Sequence, residues 1–281
     1  MTIDDLASQQ PALIEAQARI SEATARDLRG TGELSAALAS HFGVEPIVVQ
    51  GRSGPFERTS YDEDLEASRP VLEQAGGLVA ERMDEGRRAV AVASDCALAL
   101  GTLPVVGRRE PQPRILWLDA HTDFDTPATS TISFLGCMSL AGATGQWDTG
   151  LGAIDPATVV HAGARLVPDD FDAAGHREAE TSAMTMVEVS PDMAERVLGA
   201  LGRAPVYVHL DPDVLDPAAN PVAYGRPGGM LPDQLVGLLG AVAARGPVLG
   251  AEVTAFHSSD DPTERASVTQ LLGEAVTALL A

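Results

Sequence analysis

Asp119, His121 and Asp123 are side chains of metal-binding type that follow the apolar run 115–118 at every second position. In extended backbone alternate side chains share a face, so this spacing aims all three at one point if the strand geometry persists. A second apolar run, Val206–Leu210, ends in Asp211 and Asp213, again two apart, with Asp216-Pro217 just beyond. Carboxylates crowded around one imidazole repel each other and raise each other's pKa values, and a divalent cation relieves that repulsion. Oxygen donors with a single His suit a hard or borderline ion, manganese or magnesium, with zinc also able to bind. Asp95-Cys96 after Ala89–Ala93, and Glu252 with Thr254 around the end of Val248–Val253, add chemistry at two more strands. One acid after a strand is an ordinary helix cap. Four strand ends bearing acids or a thiol point to a shared site.

Such convergence needs strands that run side by side in one direction, because ligands collect beyond the carboxyl ends of parallel strands. Apolar, β-branched runs at 46–49, 89–93, 115–118, 158–162, 183–187, 206–210 and 248–253 are the expected strands, with a weaker one at 3–7. Helical patterns cover 11–42 (interrupted at Gly30–Gly32), 70–85, 191–202, 232–244 and 262–280, each opening on a proline, whose missing N–H costs nothing in the first turn. This alternation predicts an α/β fold with a parallel sheet covered on both faces. With neither a low-complexity linker nor an internal repeat, the 281 residues read as one domain.

Composition narrows the function. A formal charge of −21, from 40 acidic against 19 basic residues, argues against nucleic acid or an anionic membrane as partner. The hydrophobic fraction of 45% supports a large core, and the 4% aromatic content leaves it to Ala, Val, Leu and Gly. Two cysteines, Cys96 and Cys137, are too few for a disulfide framework, and neither a leader pattern nor a run of ~18 apolar residues is visible. The expectation is a reduced, cytoplasmic protein. The glycines of 225–230 precede a helix without forming a strand-to-helix phosphate fingerprint, so a nucleotide site is not expected.

Asp119-Ala-His121-Thr-Asp123 and Asp211-Pro-Asp213-Val-Leu-Asp216-Pro217, followed by Gly-Ala-Glu252-Val-Thr254, resemble the ureohydrolase family of arginase, agmatinase and formimidoylglutamase, over a stretch from about Ala89 to the C-terminus. The resemblance implies a three-layer αβα fold with a mostly parallel sheet of about eight strands. It also implies a divalent metal centre of one or two ions, most naturally Mn2+, and hydrolysis of a C–N bond in a small guanidine or amidine to urea, or a substituted urea, and an amine. Carried over by position, Asp119 and Asp211 bridge two ions, His121 and Asp213 complete one shell, and Asp123 serves the other. In the family the ions hold a hydroxide that attacks the guanidinium carbon. Glu252 matches an acid that grips the substrate's guanidinium, and homo-oligomers are common among the relatives.

Several positions depart from the family pattern. Cys96 stands where the family places a ligand His, and a thiolate is softer than manganese prefers. Gly136 falls where the family has a His that shuttles protons to the leaving amine; Cys137 is its neighbour, on the family's glycine position, and becomes a candidate wall of the substrate site. Losing a general acid costs on the order of 10²–10⁴ in rate unless the leaving group needs less help. Asp125 replaces an Asn that receives the α-carboxylate in arginases, and Arg165-Leu166-Val167-Pro168 replaces an acidic pair that grips the α-ammonium. These changes favour a decarboxylated or N-substituted guanidine over L-arginine; an N-hydroxylated one, leaving as a less basic amine, would need the missing acid less. The alternatives are a non-catalytic binding or assembly protein that keeps the fold and, further off, a metal-dependent deacetylase.

The remaining candidates have structural readings. Asp95 can cap the following helix, Asp216 can fix its turn, and His209 reads as a core histidine. His161 could line the pocket, and His257 could supply a proton.

Overall fold

The computed structural model describes residues 10–219 and 221–281, so the weak strand expected at 3–7 lies outside the described residues. Eight strands form one sheet: β1 (Ala12–Gln17), β2 (Ile47–Gln50), β3 (Ala89–Ala93), β4 (Arg114–Leu118), β5 (Val159–Ala162), β6 (Thr185–Val187), β7 (Val206–Leu210) and β8 (Val248–Val253). Their order is β2-β1-β3-β8-β7-β4-β5-β6, and every neighbouring pair is parallel. The helices are α1 (Ala25–Phe42), α2 (Tyr61–Asp84), α3 (Ala99–Arg109), α4 (Ser139–Ala143), α5 (Ala173–Thr181), α6 (Met193–Leu201), α7 (Pro232–Arg245) and α8 (Pro262–Leu280).

Alternation along each strand divides the core in two. Val90 and Val92 of β3, with Leu116 and Leu118 of β4, pack with Leu34, Val197, Leu238 and Leu272 from α1, α6, α7 and α8. Ala89, Ala91 and Ala93, with Ile115 and Trp117, face Leu72, Leu103 and Leu140 from α2, α3 and α4. Helices therefore cover both faces, giving the three-layer αβα arrangement.

Two expected helices differ from the structure. The pattern at 11–42 begins instead with β1, which lies between β2 and β3; Leu13, Ile14 and Ala16 are buried, and only Glu15 and Gln17 supply a brief polar alternation. The helix begins only at Ala25, where the Thr24 hydroxyl accepts from Arg26 N. The helix expected at 70–85 starts at Tyr61, after Ser60, and Pro70 lies inside it on an exposed face, where solvent can satisfy the carbonyl that loses its N–H partner. Helix α3 escaped notice because Ala99 through Val106 are all buried, leaving no polar stripe.

Glycines set the spacing of α2 and α3. A Cβ on Gly101 would fall 2.1 Å from Leu72 O, and one on Gly76 would fall 2.4 Å from Gly101 O. The two backbones are in contact, which holds α3 close to the sheet behind Cys96. Gly101→Ala should therefore lower stability by about 1–3 kcal/mol through overpacking, measured as a reduced urea midpoint at unchanged m-value.

Candidate active site

The four strands bearing the chemistry are neighbours at the centre of the sheet, in the order β3, β8, β7, β4. Leu118 is in register with Leu210, and Asp211 N donates to Leu118 O at 2.9 Å, so Asp119 and Asp211 leave the sheet side by side. Backbone then turns the acids inward. Asp119 Oδ1 accepts from His121 N (2.7 Å), Asp211 Oδ1 from Asp213 N (2.8 Å), and Asp213 Oδ1 from Ala120 N (2.8 Å). His121 Nδ1 lies 2.8 Å from Asp213 Oδ2 and 3.6 Å from Asp119 Oδ1. Asp123 has a positive φ of 46°, its carbonyl accepts from the first turn of α4, and its Oδ2 accepts from Ser139 Oγ at 3.2 Å. Cys96 Sγ approaches Asp211 Oδ2 at 3.2 Å.

Cys96, His121, Asp123, Asp211 and Asp213 line one cavity of ≈ 190 Å³, beside Cys137 and Gly136. Asp119, 1% exposed, is bonded to the backbone of His121 and to Trp117 Nε1. Ligand atoms of Asp119, His121 and Asp213 lie within 4.8 Å of one another, as do those of Cys96, Asp119 and His209. This donor set fits divalent cations: mostly carboxylate oxygen, one cavity-facing imidazole and one thiol.

The electrostatics agree. Burial, then the Asp213 charge, pushes Asp119 up to about 6, while burial and neighbouring acids hold Asp123 and Asp211 well above the carboxylate range. Burial works against the His121 cation, yet Asp213 and Asp119 outweigh it and raise its pKa well above 6.5; the same pairing overcomes burial at Asp213 and lowers its carboxyl. Burial and Asp211 push the Cys96 thiol up, so the sulfur stays protonated unless a cation draws the proton off.

Glu252 and Asp125 are not at the cavity. Glu252 is fully buried within β8, beside His209 of β7, and its oxygens are taken: Oε2 accepts from Thr102 Oγ1 (2.6 Å) and Tyr207 OH (3.3 Å), and Oε1 meets His209 Nδ1 at 2.7 Å. The expected guanidinium anchor is thus a support beneath the site. Asp125 turns toward α5, with Oδ1 2.9 Å from where a Cβ on Gly175 would lie, and is not among the residues that line the cavity. His209 is the core histidine expected: both ring nitrogens have partners, and it stacks on Trp117 at 3.5 Å. Asp95 caps its turn by accepting from Ala97 N, yet also lines the cavity. His161 is fully buried, and His257 pairs with Asp27 Oδ1 at 3.0 Å.

At Gly136 the space for a side chain is occupied. A Cβ there would meet Phe134 Cε1 at 2.8 Å and Asp95 Oδ1 at 3.2 Å.

A model of the arginase family matches residues 12–280. The chain belongs to the arginase family. The match takes in β1, so the resemblance begins well before Ala89, where the motifs first show it. Among curated relatives, the N(omega)-hydroxy-L-arginine amidinohydrolase of Streptomyces lavendulae is 32% identical over 255 residues, 90% of this chain and 91% of that protein. Arginase-1 of Homo sapiens is 30% identical over 234 residues, 74% of this chain and 70% of that protein. In fold the chain is similar to arginase from Bacillus subtilis, with a TM-score of 0.83 at 20% identity over 97% and 99% of the two chains. It is also similar to proclavaminate amidino hydrolase from Streptomyces clavuligerus, with a TM-score of 0.70 at 18% identity over 96% and 93%. Membership of the arginase family supports a hydrolase of amidine-type C–N bonds. No described helix is long and apolar enough to cross a membrane.

Sequence reasoning missed further residues that line the cavity, Glu22, Asp27, Arg58, Phe134, Phe171 and Tyr224. Glu22 and Asp27 follow β1, so reading that strand correctly would have exposed another acid-bearing strand end.

The buried acids predict how pH acts on the metal-free fold. Burial is the first cause in each case: Glu22 is raised to about 8, and Asp95, Asp119 and Asp125 to about 6. Their stabilisation is fully present below the ordinary carboxylate range and is lost as pH rises through 6 and then 8. His161, lowered by burial to about 3, acts oppositely, but its contribution is complete above 6.5. With chelator present, the urea midpoint should therefore fall between pH 6.5 and 8.5, and manganese should flatten that decline.

Proposed function

We propose that this chain hydrolyses an N-hydroxylated guanidine to N-hydroxyurea and a primary amine, using manganese, as one or two ions, held by Cys96, Asp119, His121, Asp123, Asp211 and Asp213. The observation that carries the reading is the filled space at Gly136, where Phe134 and Asp95 stand in the room an imidazole would need. The named activity of the Streptomyces lavendulae relative supports the same choice. When bound, divalent cations at these carboxylates supply hydroxide near neutral pH by lowering the pKa of water.

The chain's own residues orient and protonate. Backbone N–H groups of His121 and Asp213 fix the oxygens of Asp119 and Asp211, and Asp213 fixes the His121 ring. Phe134 and Phe171 narrow the cavity and limit bulk water. The N-hydroxyl stays with the urea product, so the leaving amine keeps its ordinary basicity and, contrary to the expectation from the sequence, still needs a proton; what the hydroxyl does is withdraw electrons from the guanidine, making its carbon easier to attack. Water oxygen bonds to that carbon, the bond to the chain nitrogen breaks, and this nitrogen takes a proton to leave as the amine. Asp95, buried and held near 6, is the acid next to Gly136 and carries that proton. Glu252, bonded to His209 and Thr102, steadies the ligand bed.

Manganese-loaded protein should release N-hydroxyurea from N-hydroxy-arginine about 10²-fold faster than urea from arginine or agmatine. Equal rates on arginine would refute the substrate, and bound manganese without turnover of any guanidine would leave a binding protein. Asp211→Asn should lose metal and turnover together. Asp95→Asn should keep its manganese by elemental analysis but lose about 10–10²-fold in kcat with KM little changed; unchanged kcat would remove Asp95 from the proton path.

A further inference from the structure

We propose that Arg58 and Glu22 clamp the α-carboxylate and α-ammonium of the substrate, making this site selective for guanidines built on an amino acid. The inference uses the proposed function only to place the reacting end among Cys96, His121 and Asp213, which line the same cavity.

Arg58 is the only arginine or lysine lining the cavity among the described residues. Its guanidinium stands over the Phe134 ring, 5.9 Å from the centroid, with no ion pair among the described residues. That is informative in a chain of net charge −21, where Arg19, Arg29, Arg52, Arg226 and Arg265 all hold carboxylates. A planar cation seated on an aromatic ring keeps its N–H edge free for a carboxylate.

Glu22 supplies the acidic partner: burial raises it to about 8 in the free protein, and an ammonium placed beside it favours its charged form. It is 4% exposed and lines the same cavity; Oε2 accepts from Ile20 N (2.9 Å) and Ser21 N (3.1 Å), while Oε1 is buried with no hydrogen-bond partner among the described residues. A buried carboxylate oxygen without a donor is costly, and a ligand ammonium removes that cost. Asp27, which also lines the cavity, is already engaged by His257.

Buried Arg19 holds the main chain at Glu22 and at Glu57, next to Arg58. Its Nε donates to Glu22 O at 2.9 Å, its Nη2 to Glu57 O at 2.6 Å, and its Nη1 to Asp64 Oδ1 at 3.2 Å. One side chain thus ties the loop after β1, which carries Glu22, to the loop after β2, which carries Arg58. The two loops approach as a unit. Asp125, turned toward α5, does not oppose a substrate carboxylate, so the objection it raised in the sequence falls away.

Calorimetric binding of three amines to the manganese-loaded protein tests the clamp without turnover. Ornithine carries both groups, putrescine lacks the carboxylate, and 5-aminopentanoate lacks the α-ammonium. Wild type should prefer ornithine to either. Arg58→Ala, at an exposed position, should weaken ornithine about 10- to 100-fold and leave putrescine nearly unchanged. Glu22→Gln should weaken ornithine and putrescine but spare 5-aminopentanoate. Equal wild-type affinity for ornithine and putrescine, or equal loss of both in Arg58→Ala, would overturn the clamp. Absent guanidine hydrolysis would instead overturn the proposed function, with these affinity ratios still deciding the clamp.

Discussion

Asp119, Asp123, Asp211 and Asp213 are buried together at the carboxyl edge of the sheet, where water cannot screen them, and each raises the cost of ionising the next. Without a cation the fold meets that cost by retaining protons, except where His121 offers Asp213 an opposite charge. Much of the surrounding structure keeps these groups from moving apart: N–H groups anchor three of the acids, Ser139 holds the fourth, and Trp117 backs Asp119. A site so arranged is preorganised for positive charge before any ligand arrives.

The sheet order makes this possible. Placing β8 and β7 between β3 and β4 brings side chains from positions 96 and 211 within 3.2 Å, although they are far apart along the chain. Beneath them Glu252, His209, Thr102 and Tyr207 form a hydrogen-bonded layer with Trp117 stacked on the imidazole. Such a floor leaves the ligand positions little freedom to relax, which is how a metal-binding group keeps its geometry through turnover.

Much of this was legible in the sequence because strand ends advertise themselves. The bounds of β3, β7 and β8 follow from runs that are wholly or mostly apolar, and the two-residue spacing of Asp119, His121 and Asp123 marks the site. What failed depended on context. Strand β1, buried between neighbours, resembles the start of a buried helix, and with it went Glu22. Glu252 lies one residue inside the end of β8, and the register that pairs it with His209 is a property of the sheet. Asp125 shares a parity with Asp123, but the positive φ at Asp123 breaks the strand's alternation and swings the next acid away. Arg58 belongs to no motif, and only tertiary contact shows that it has no acidic partner among the described residues.

Arg19 also bears on how such a site could diversify. The ligand bed is rooted in the central strands, whereas Glu22 and Arg58 are carried by two loops that a single buried guanidinium crosslinks through carbonyl oxygens. The bracket grips main chain, so Arg58 can be exchanged without disturbing it, while a replacement at Glu22 must also satisfy Ile20 N and Ser21 N. One frame could then present many different side-chain pairs to incoming molecules, so selectivity can drift while the hydrolytic machinery stays untouched.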